Sequence, residues 1–268
     1  MDSRPDMYTH GHHDSVLRSH RWRTVENSAA YLIPHLRTDA QLLDVGCGPG
    51  TITLDLAARL SDGQVLGIDA SADVIADASA AVPDGVANVS FATGDVYALD
   101  AADDSYDIVH AHQVLQHLSD PIAALREMRR VCRRDGVVAV RDSDYSAMTW
   151  FPTVPELDEW LALYLELARG NHAEPDAGRH LRSWALEAGF SRVESSASVW
   201  CFAEEADRVW WADMWADRVV QSAFASQATE RGVATAADLA RLSDGWRRWA
   251  TASDGWFAVL HGEALATP

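Results

Sequence analysis

An apolar strand that ends in three alternate glycines restricts what this chain can fold into. Residues 42–51 read Leu-Leu-Asp-Val-Gly-Cys-Gly-Pro-Gly-Thr, and a helical pattern of apolar residues follows from Ile52. Because glycine has no Cβ, Gly46, Gly48 and Gly50 can take positive φ, and a ligand can lie against bare backbone. Unpaired amides at the N-terminus of the following helix would face that ligand. The pattern therefore predicts a strand-loop-helix unit with a ligand site at the loop.

The spacing of the glycines separates two kinds of nucleoside site. Dinucleotide-binding loops read Gly-x-Gly-x-x-Gly, whereas this loop reads Gly-x-Gly-x-Gly, and Asp44 lies two residues before Gly46. In this respect the chain resembles the class I S-adenosylmethionine-dependent methyltransferases, whose motif it matches at each fixed position. The resemblance implies that the cofactor S-adenosyl-L-methionine contacts Asp44, Gly46, Cys47, Gly48 and Gly50. It also makes Cys47 a loop residue and not a nucleophile.

Acidic residues end the next two predicted strands. Residues 64–69 form an apolar run that ends in Asp69, whose carboxylate can accept hydrogen bonds from both ribose hydroxyls. Residues 89–95 form another run that ends in Asp95, and the resemblance implies that Asp95 binds the adenine amino group. The neighbouring residues that it adds to the cofactor site are Ala70, Ser71, Gly94 and Val96.

Histidines surround the end of the fourth predicted strand, residues 106–111. The resemblance places this strand end beneath the methyl group and makes His110 a cofactor contact. Methyl transfer depends on positioning, exclusion of water and removal of a proton from the acceptor, and histidine suits proton removal near neutral pH. Strand alternation puts His110 and His112 on one face. We predict His112 as a candidate base, and for His117 a position on a helix surface is the alternative to one in the pocket.

The N-terminal segment holds four histidines within eleven residues, from His10 to His20. A metal site is disfavoured because no cysteine or carboxylate cluster completes it, so we predict no metal. The segment resembles the N-terminus of small-molecule methyltransferases related to the ubiquinone and menaquinone biosynthesis enzymes. In those proteins the segment closes over the cofactor, which implies contacts to the methionine end or the acceptor. The candidates are Tyr8, His12, His13 and Arg23, with an arginine suited to a carboxylate and with His12, His13 and Tyr8 as further catalytic candidates.

The remaining patterns predict an α/β fold with a Rossmann-like, seven-stranded, mostly parallel sheet, an antiparallel last strand and helices on both faces. The fifth strand is predicted at 136–140, a helix at 181–188, the sixth strand at 193–202 and the seventh, as an antiparallel edge strand, at 256–263. About fifty residues separate the last two strands, too many for a hairpin loop.

We therefore predict a single methyltransferase domain over residues 1–268. Its parts are an N-terminal cap (1–37), a cofactor-binding half (41–144) and two helical insertions (147–178 and 204–252) that cover the acceptor site.

Tryptophans are concentrated in the second half of the chain, where ten of the eleven occur from Trp150 onward. Helices that lie on a sheet need large apolar residues, so most of these tryptophans are expected in the core. One or two are expected to line a site for a planar acceptor. We predict a small aromatic or heteroaromatic metabolite, methylated on carbon or oxygen, with indole-containing natural products as one subset.

The amino-acid composition limits the classes of partner and the location that we expect for this protein. The formal net charge is −18 and lysine is absent, so nucleic acid is not expected as a substrate. No apolar run reaches the length of a membrane span, and residues 1–5 lack the features of a signal peptide. Three widely spaced cysteines favour reduced thiols and a cytoplasmic location. The oligomeric state stays open, with a homodimer through the N-terminal cap among the alternatives.

Two other classes of function fit part of the pattern. A nicotinamide-dependent oxidoreductase would share the first strand, the loop and Asp69, but its third glycine would lie one residue later. A catalytically silent regulator that binds S-adenosylmethionine would keep the loop but need no acceptor site. Binding of S-adenosylhomocysteine against NAD distinguishes the first alternative, and turnover distinguishes the second.

Overall fold

The computed structural model describes residues 19–268, which form one mixed sheet with helices on both faces. The strands are β1 (Gln41–Val45), β2 (Gln64–Asp69), β3 (Val89–Thr93), β4 (Tyr106–His112), β5 (Cys132–Ser143), β6 (Thr149–Phe151), β7 (Arg192–Phe202) and β8 (Trp256–Thr267). The α-helices are α1 (Val25–Ser28), α2 (Thr51–Arg59), α3 (Ala72–Ala80), α4 (Pro121–Val131), α5 (Pro155–Gly170), α6 (Leu181–Glu187), α7 (Glu205–Gln221), α8 (Ala223–Glu230) and α9 (Ala236–Ala250).

The first five strands are parallel and lie in the order β3-β2-β1-β4-β5. The chain builds outward from β1 to β3 on one side and then returns to place β4 and β5 on the other side. In open parallel sheets, ligands bind outside the carboxyl ends of the strands where the order reverses. The topology therefore directs a site to the ends of β1 and β4.

The predicted Rossmann-like sheet with an antiparallel last strand is confirmed, with two differences. The sheet has eight strands and not seven, because β6 forms within the predicted insertion and pairs with β8. The placement of the last strand at the edge is wrong. β8 pairs antiparallel with every residue of β7 on one side, and on its other side it pairs with β5 and β6. β8 is twelve residues long, so it can pair along one side with β6 and then with β5. The strand on its other side, β7, is left at the edge of the sheet.

Alternation along the central strands divides the core between the two faces of the sheet. Leu43 and Val45 of β1 pack on one face with α4 and α6, whereas Leu42 packs on the other face with α1 and α2. Asp120 accepts a hydrogen bond from the amide of Ala123 and begins α4 at the proline where the sequence predicts it.

Helices α5, α7, α8 and α9 form a further core at the β7–β8 side. Its largest fully buried side chains include Trp160, Trp215, Trp246 and Trp249. The expectation that most tryptophans are core residues holds for these four. Within residues 19–268 we find no helix of the length and apolarity that crossing a bilayer requires.

Truncation of Trp246 should destabilise the helical core strongly. This side chain is fully buried against Trp160 and Trp215, so Trp246→Ala should lower the free energy of unfolding by about 3–5 kcal/mol in urea denaturation. The control is Trp256→Ala, because Trp256 is 39% exposed and its loss should cost about 1 kcal/mol or less. Equal losses in the two variants would contradict the packing of this core.

Candidate functional site

A cavity of about 870 Å³ opens at the carboxyl ends of β1 to β4. The residues that follow these strands line it, with Gly46 after β1, Asp69 at the end of β2, Gly94 after β3 and Gln113 after β4. Sites for small ligands span roughly 300–1,000 Å³, so this volume accommodates two small molecules side by side.

The three glycines of the loop all have positive φ, at +66° for Gly46, +55° for Gly48 and +81° for Gly50. A Cβ on Gly46 would overlap Val114, and a Cβ on Gly50 would lie 2.7 Å from the ring of Phe91. Gly46 and Gly48 line the cavity, whereas Gly50 is outside its lining and caps the start of α2. Its close packing against Phe91 and its positive φ therefore account for a glycine at position 50.

Asp69 lines the cavity with its carboxylate held by backbone amides. Oδ2 accepts a hydrogen bond from Gly48 N at 3.1 Å, and Oδ1 accepts one from Ser71 N at 3.0 Å. Each carboxylate oxygen has two lone pairs, so both keep acceptor capacity toward a ligand. The same bonds join the glycine loop to the start of α3.

Asp44 and His110 form a buried pair beneath the loop. Asp44 Oδ1 lies 2.7 Å from His110 Nδ1, and Asp44 Oδ2 accepts a hydrogen bond from the Thr53 hydroxyl at 2.6 Å. Asp44 reaches the cavity wall, but His110 is fully buried and does not line it. His110 is therefore placed to orient Asp44. It does not line the cavity, so the prediction that His110 contacts the cofactor is wrong.

The other predicted cofactor residues line the cavity together. They are Cys47, Ala70, Ser71, Gly94, Asp95 and Val96. Asp95 Oδ1 accepts a hydrogen bond from Tyr97 N at 2.9 Å, which orients the carboxylate after β3. Burial, with Asp44 and Asp69 nearby, raises the pKa of the Cys47 thiol, so this cysteine stays protonated.

His112 stands at the opposite side of the cavity, at the end of β4. Its side chain is 5% exposed, and within residues 19–268 neither ring nitrogen has a hydrogen-bond partner. Its ring packs between Trp200, at 5.7 Å between ring centroids, and His261, at 6.2 Å. Burial, followed by the charges of Arg23 and Arg141, lowers the pKa of His112 well below its usual value, so the ring is neutral.

A chain of hydrogen bonds links the N-terminal segment to this wall. Arg23 Nη2 donates to Gln113 Oε1 at 2.5 Å, so Gln113 Nε2 is the atom that donates to His261 Nε2 at 2.8 Å. His261 Nδ1 then carries the proton and donates to the carbonyl of Val259 at 3.1 Å. Gln113 adopts φ +54°, a conformation that non-glycine residues adopt rarely and that occurs often at functional sites.

A second amide fixes His117. Gln116 Oε1 accepts hydrogen bonds from the Ser143 hydroxyl at 2.5 Å and from Ser143 N at 3.2 Å, so Gln116 Nε2 donates to His117 Nε2 at 2.9 Å. Burial lowers the pKa of His117 to about 3, and this ring is also neutral. His117 lines the cavity from a short 3-10 turn and is not a helix-surface residue.

Aromatic and arginine side chains complete the wall at this side. Trp200 of β7, Trp211 of α7 and Tyr145 line the cavity, with Tyr145 stacked on Tyr164 at 4.0 Å. Arg218 of α7 also lines it, and its guanidinium lies 4.5 Å from the ring centroid of Trp215.

Some of the residues that line the cavity belong to no motif in the sequence. The cavity residues that sequence reasoning missed include Gln113, Gln116, Ser143, Tyr145 and Arg218. Gln113 and Ser143 could have been found from their positions at strand ends. Arg218 comes from a distant helix and had no such signal.

Of the predicted N-terminal contacts, Arg23 lines the cavity, whereas Tyr8, His12 and His13 lie outside the described residues. In the part of the chain that the structure describes, no group of three His, Cys, Asp or Glu residues is arranged to hold a metal.

The described geometry agrees with comparisons to known proteins. The family described as "Methyltransferase domain" matches residues 36–195. A methyltransferase of Schizosaccharomyces pombe is 34% identical over 269 residues, covering 96% of this chain and 95% of that protein. The chain belongs to the class I S-adenosylmethionine-dependent methyltransferases. This assignment favours the predicted methyltransferase over the nicotinamide-dependent oxidoreductase and the silent regulator.

Further relatives of this methyltransferase extend the likeness. A probable methyltransferase of Aspergillus luteorubrus is 29% identical, covering 97% of this chain and 96% of that protein. The demethylmenaquinone methyltransferase of Beutenbergia cavernae is 31% identical over 163 residues, or 59% of this chain and 64% of that protein. The resemblance to enzymes of the ubiquinone and menaquinone type is therefore confirmed.

Two solved structures share the fold of this methyltransferase. The YcgJ protein of Bacillus subtilis superimposes with a TM-score of 0.56 at 21% identity, covering 96% of this chain and 99% of that chain. Phosphoethanolamine N-methyltransferase 2 of Haemonchus contortus, in complex with S-adenosylhomocysteine, has a TM-score of 0.56 at 18% identity and covers 89% of this chain and 52% of that chain.

The cavity fits S-adenosylmethionine, the methyl donor of this family. Gly46 and Gly48 leave bare backbone along the loop, and the Asp69 and Asp95 carboxylates face the same space from β2 and β3. Carboxylates suit ribose hydroxyls and an adenine amino group, since both ligand groups donate hydrogen bonds.

Asp142, behind Gln116, gives a testable pH dependence of stability. It is completely buried, and burial raises its pKa to about 7 from 3.8. The folded state therefore keeps a proton that the unfolded chain loses, so this group's stabilisation is present at low pH and is lost as pH rises toward 7. Between pH 5 and pH 8 the parent protein should lose about 1–3 kcal/mol more stability than Asp142→Asn in urea denaturation.

The control for this pH series is Asp244→Asn, which removes one charge from an exposed site on α9. It should follow the parent protein at both pH values. A parallel pH dependence in Asp142→Asn and the parent would show that Asp142 does not carry the shift.

Proposed function

We propose that this methyltransferase transfers a methyl group to carbon or oxygen of a small aromatic or heteroaromatic metabolite, with indole-containing natural products as one candidate class. The observation that supports this is one cavity with two chemically different ends. Carboxylates and glycine backbone line its β1–β3 side, and aromatic rings and neutral imidazoles line its β4–β8 side.

In this proposal the cofactor lies along the ends of β3, β2 and β1. Asp95 takes the adenine amino group, Asp69 takes the ribose hydroxyls, and the amides of the glycine loop lie against the methionine part. Arg23 is the candidate for the methionine carboxylate, because an arginine can pair with it through two hydrogen bonds. Gln113 holds Arg23 at the cavity wall in support of this role.

When bound, the cofactor supplies an electrophilic methyl group on a sulfonium. The chain's own contribution is to position the acceptor in line with that group and to exclude water. Trp200, Trp211 and Tyr145 provide flat apolar surfaces for a planar acceptor. Helices α5, α7, α8 and α9 then act as the cover of the acceptor site, since α7 supplies both Trp211 and Arg218.

His112 is the candidate catalytic residue within the described chain. It lines the cavity at the end of β4, and neither of its ring nitrogens has a hydrogen-bond partner among the described residues, so we propose that it hydrogen-bonds the reacting group of the acceptor and takes its proton. Tyr8, His12 and His13 remain candidates for the same task from the N-terminal segment.

The first test is transfer of a labelled methyl group from S-adenosylmethionine into a metabolite extract of the source organism. A labelled product of small mass that depends on Asp69 would support the proposal and identify the acceptor. Labelling of protein or nucleic acid alone would overturn the proposed acceptor class.

Asp69→Ala should weaken S-adenosylhomocysteine binding by about 1–3 kcal/mol, because the ribose would lose its acceptor. Isothermal calorimetry measures this loss. The matched control is Asp73→Ala, which removes an exposed aspartate from the first turn of α3 and should leave the affinity unchanged. Unchanged affinity in Asp69→Ala would contradict the placement of the ribose.

His112→Phe should keep S-adenosylhomocysteine affinity within about twofold and lower kcat by about 10²–10⁴-fold, the usual contribution of a group that assists proton transfer. Single-turnover assays with the identified acceptor measure the effect. His35→Phe, at an exposed position outside the cavity, is the matched control and should retain the parent kcat. Parent-like turnover in His112→Phe would move the catalytic role to another group.

A further inference from the structure

We propose that two copies of this chain associate edge to edge through β7, in antiparallel register about a two-fold axis at Ser198. The sheets of the two copies then form one continuous sheet. This inference concerns the assembly of the protein and does not depend on the proposed acceptor.

The outer edge of β7 is free to pair with another strand. β7 pairs with β8 in continuous register from Arg192 to Phe202, and within residues 19–268 no strand pairs with its other side. Alternate backbone N–H and C=O groups of an edge strand point away from its sheet, where they can bond to another strand. β7 therefore offers a regular template eleven residues long.

The sequence of β7 does not protect this edge. Proteins usually prevent edge pairing with charged side chains, proline or a bulge, and residues 195–202 contain no charged residue, proline or glycine, although the net charge of the chain is −18. On one face of the strand Ala197, Val199 and Cys201 are exposed, with Val199 51% exposed. A second copy can therefore approach along this stretch without bringing like charges together.

The two ends of β7 carry opposite charges. Arg192 begins the strand, whereas Glu204 and Glu205 follow its end, and the backbone at Glu204 is still extended. A two-fold axis brings the same surface of both copies together in opposite directions. Each basic end then meets the acidic end of the other copy, so the edge is complementary to itself.

The charges also select one register. With the axis at Ser198, Arg192 lies opposite Glu204 of the second copy, and the exposed ion pair of Arg192 with Glu194 gains a further carboxylate. An axis at Val199 would instead place Glu194 opposite Glu204, and like charges directly opposite each other destabilise a strand pair. The axis at Ser198 places Ala197 opposite Val199, and Ser195 opposite Cys201.

The inner face of β7 connects this edge to the cavity. Ser196 and Ser198 donate hydrogen bonds to Glu263 at 2.7 and 2.5 Å, and Glu263 pairs with Arg141. Trp200, on the same face of β7, lines the cavity. Pairing with a second copy therefore adds backbone hydrogen bonds to a strand that forms part of the cavity wall.

The first test is the mass of the full-length protein in solution, measured by sedimentation velocity from about 1 to about 200 µM in reducing buffer. An interface built on one strand edge is small, so we expect a dissociation constant in the micromolar range. The average mass should rise with concentration from one copy to two. Protein that stays monomeric over this range would overturn the proposal and would favour a strand of another protein as the partner of β7.

Paired charges test the register. Ala197→Glu combined with Val199→Glu places glutamate opposite glutamate in the proposed dimer, which should weaken association at least about tenfold. Ala197→Arg combined with Val199→Glu places arginine opposite glutamate and should keep the dimer. Both positions are exposed, so the variants should fold, and thermal melting checks this. The control for added charge, Val86→Glu with Val233→Glu at exposed positions outside β7, should associate like the parent protein.

A disulfide gives a second test of the register. Ser195→Cys places a thiol opposite Cys201 of the second copy, within the distance that a disulfide can bridge, so mild oxidation should yield a covalent dimer. Two controls should stay uncrosslinked. Ser195→Cys with Cys201→Ser lacks the facing thiol, and Ala197→Cys faces Val199.

Three further results would overturn the inference. They are equal association of the glutamate–glutamate and arginine–glutamate variants, cross-linking of Ala197→Cys as readily as Ser195→Cys, and failure of Ser195→Cys to cross-link in protein that dimerises.

Discussion

The reversal of strand order between β1 and β4 is the constraint on which the site depends. Parallel strands leave their carboxyl ends on one edge of the sheet, and the reversal opens a crevice there that no crossover helix fills. The glycine loop after β1 and the turn after β4 meet across this crevice, where Gly46 leaves room for Val114. A side chain at Gly46 would close the crevice, so the backbone of β1 and the position of β4 depend on each other.

Part-buried hydrogen bonds give each wall of this crevice a fixed shape. Asp69 joins the glycine loop to the start of α3 on one wall, and Gln113 joins Arg23 to His261 on the other. Burial of polar side chains is costly unless they are paired. Most polar side chains around the cavity are paired in this way, and His112 stands out because neither of its ring nitrogens has a partner in the part of the chain that the structure describes.

The order of the strands also separates charge within the cavity. Each of β1, β2 and β3 delivers a carboxylate at or near its end, whereas β4, β5 and β7 deliver imidazole, amide, hydroxyl and indole groups. The low local dielectric of a buried site makes such a separation more effective than it would be in water. One cavity can therefore hold a cationic cofactor and an acceptor of different chemistry side by side.

The sequence by itself determined the fold class and most of the residues that line the β1–β3 side of the cavity. Its signals are local, because each of those residues lies within a few residues of a strand end, and strand and glycine patterns are readable over short windows. The β4–β8 side of the cavity was decided by tertiary structure. Trp200, Trp211, Tyr145 and Arg218 come from separate elements that meet only when β8 pairs with β5, β6 and β7.

The same physical reason explains the particular errors. Strand alternation correctly put His110 and His112 on one face, but the packing of Asp44 against His110 decided that only His112 reaches the cavity. The edge position predicted for the last strand failed because strand pairing depends on contacts distant in sequence, which no local pattern encodes. Local composition thus specified what each element is, and long-range pairing alone decided which side chains share a site.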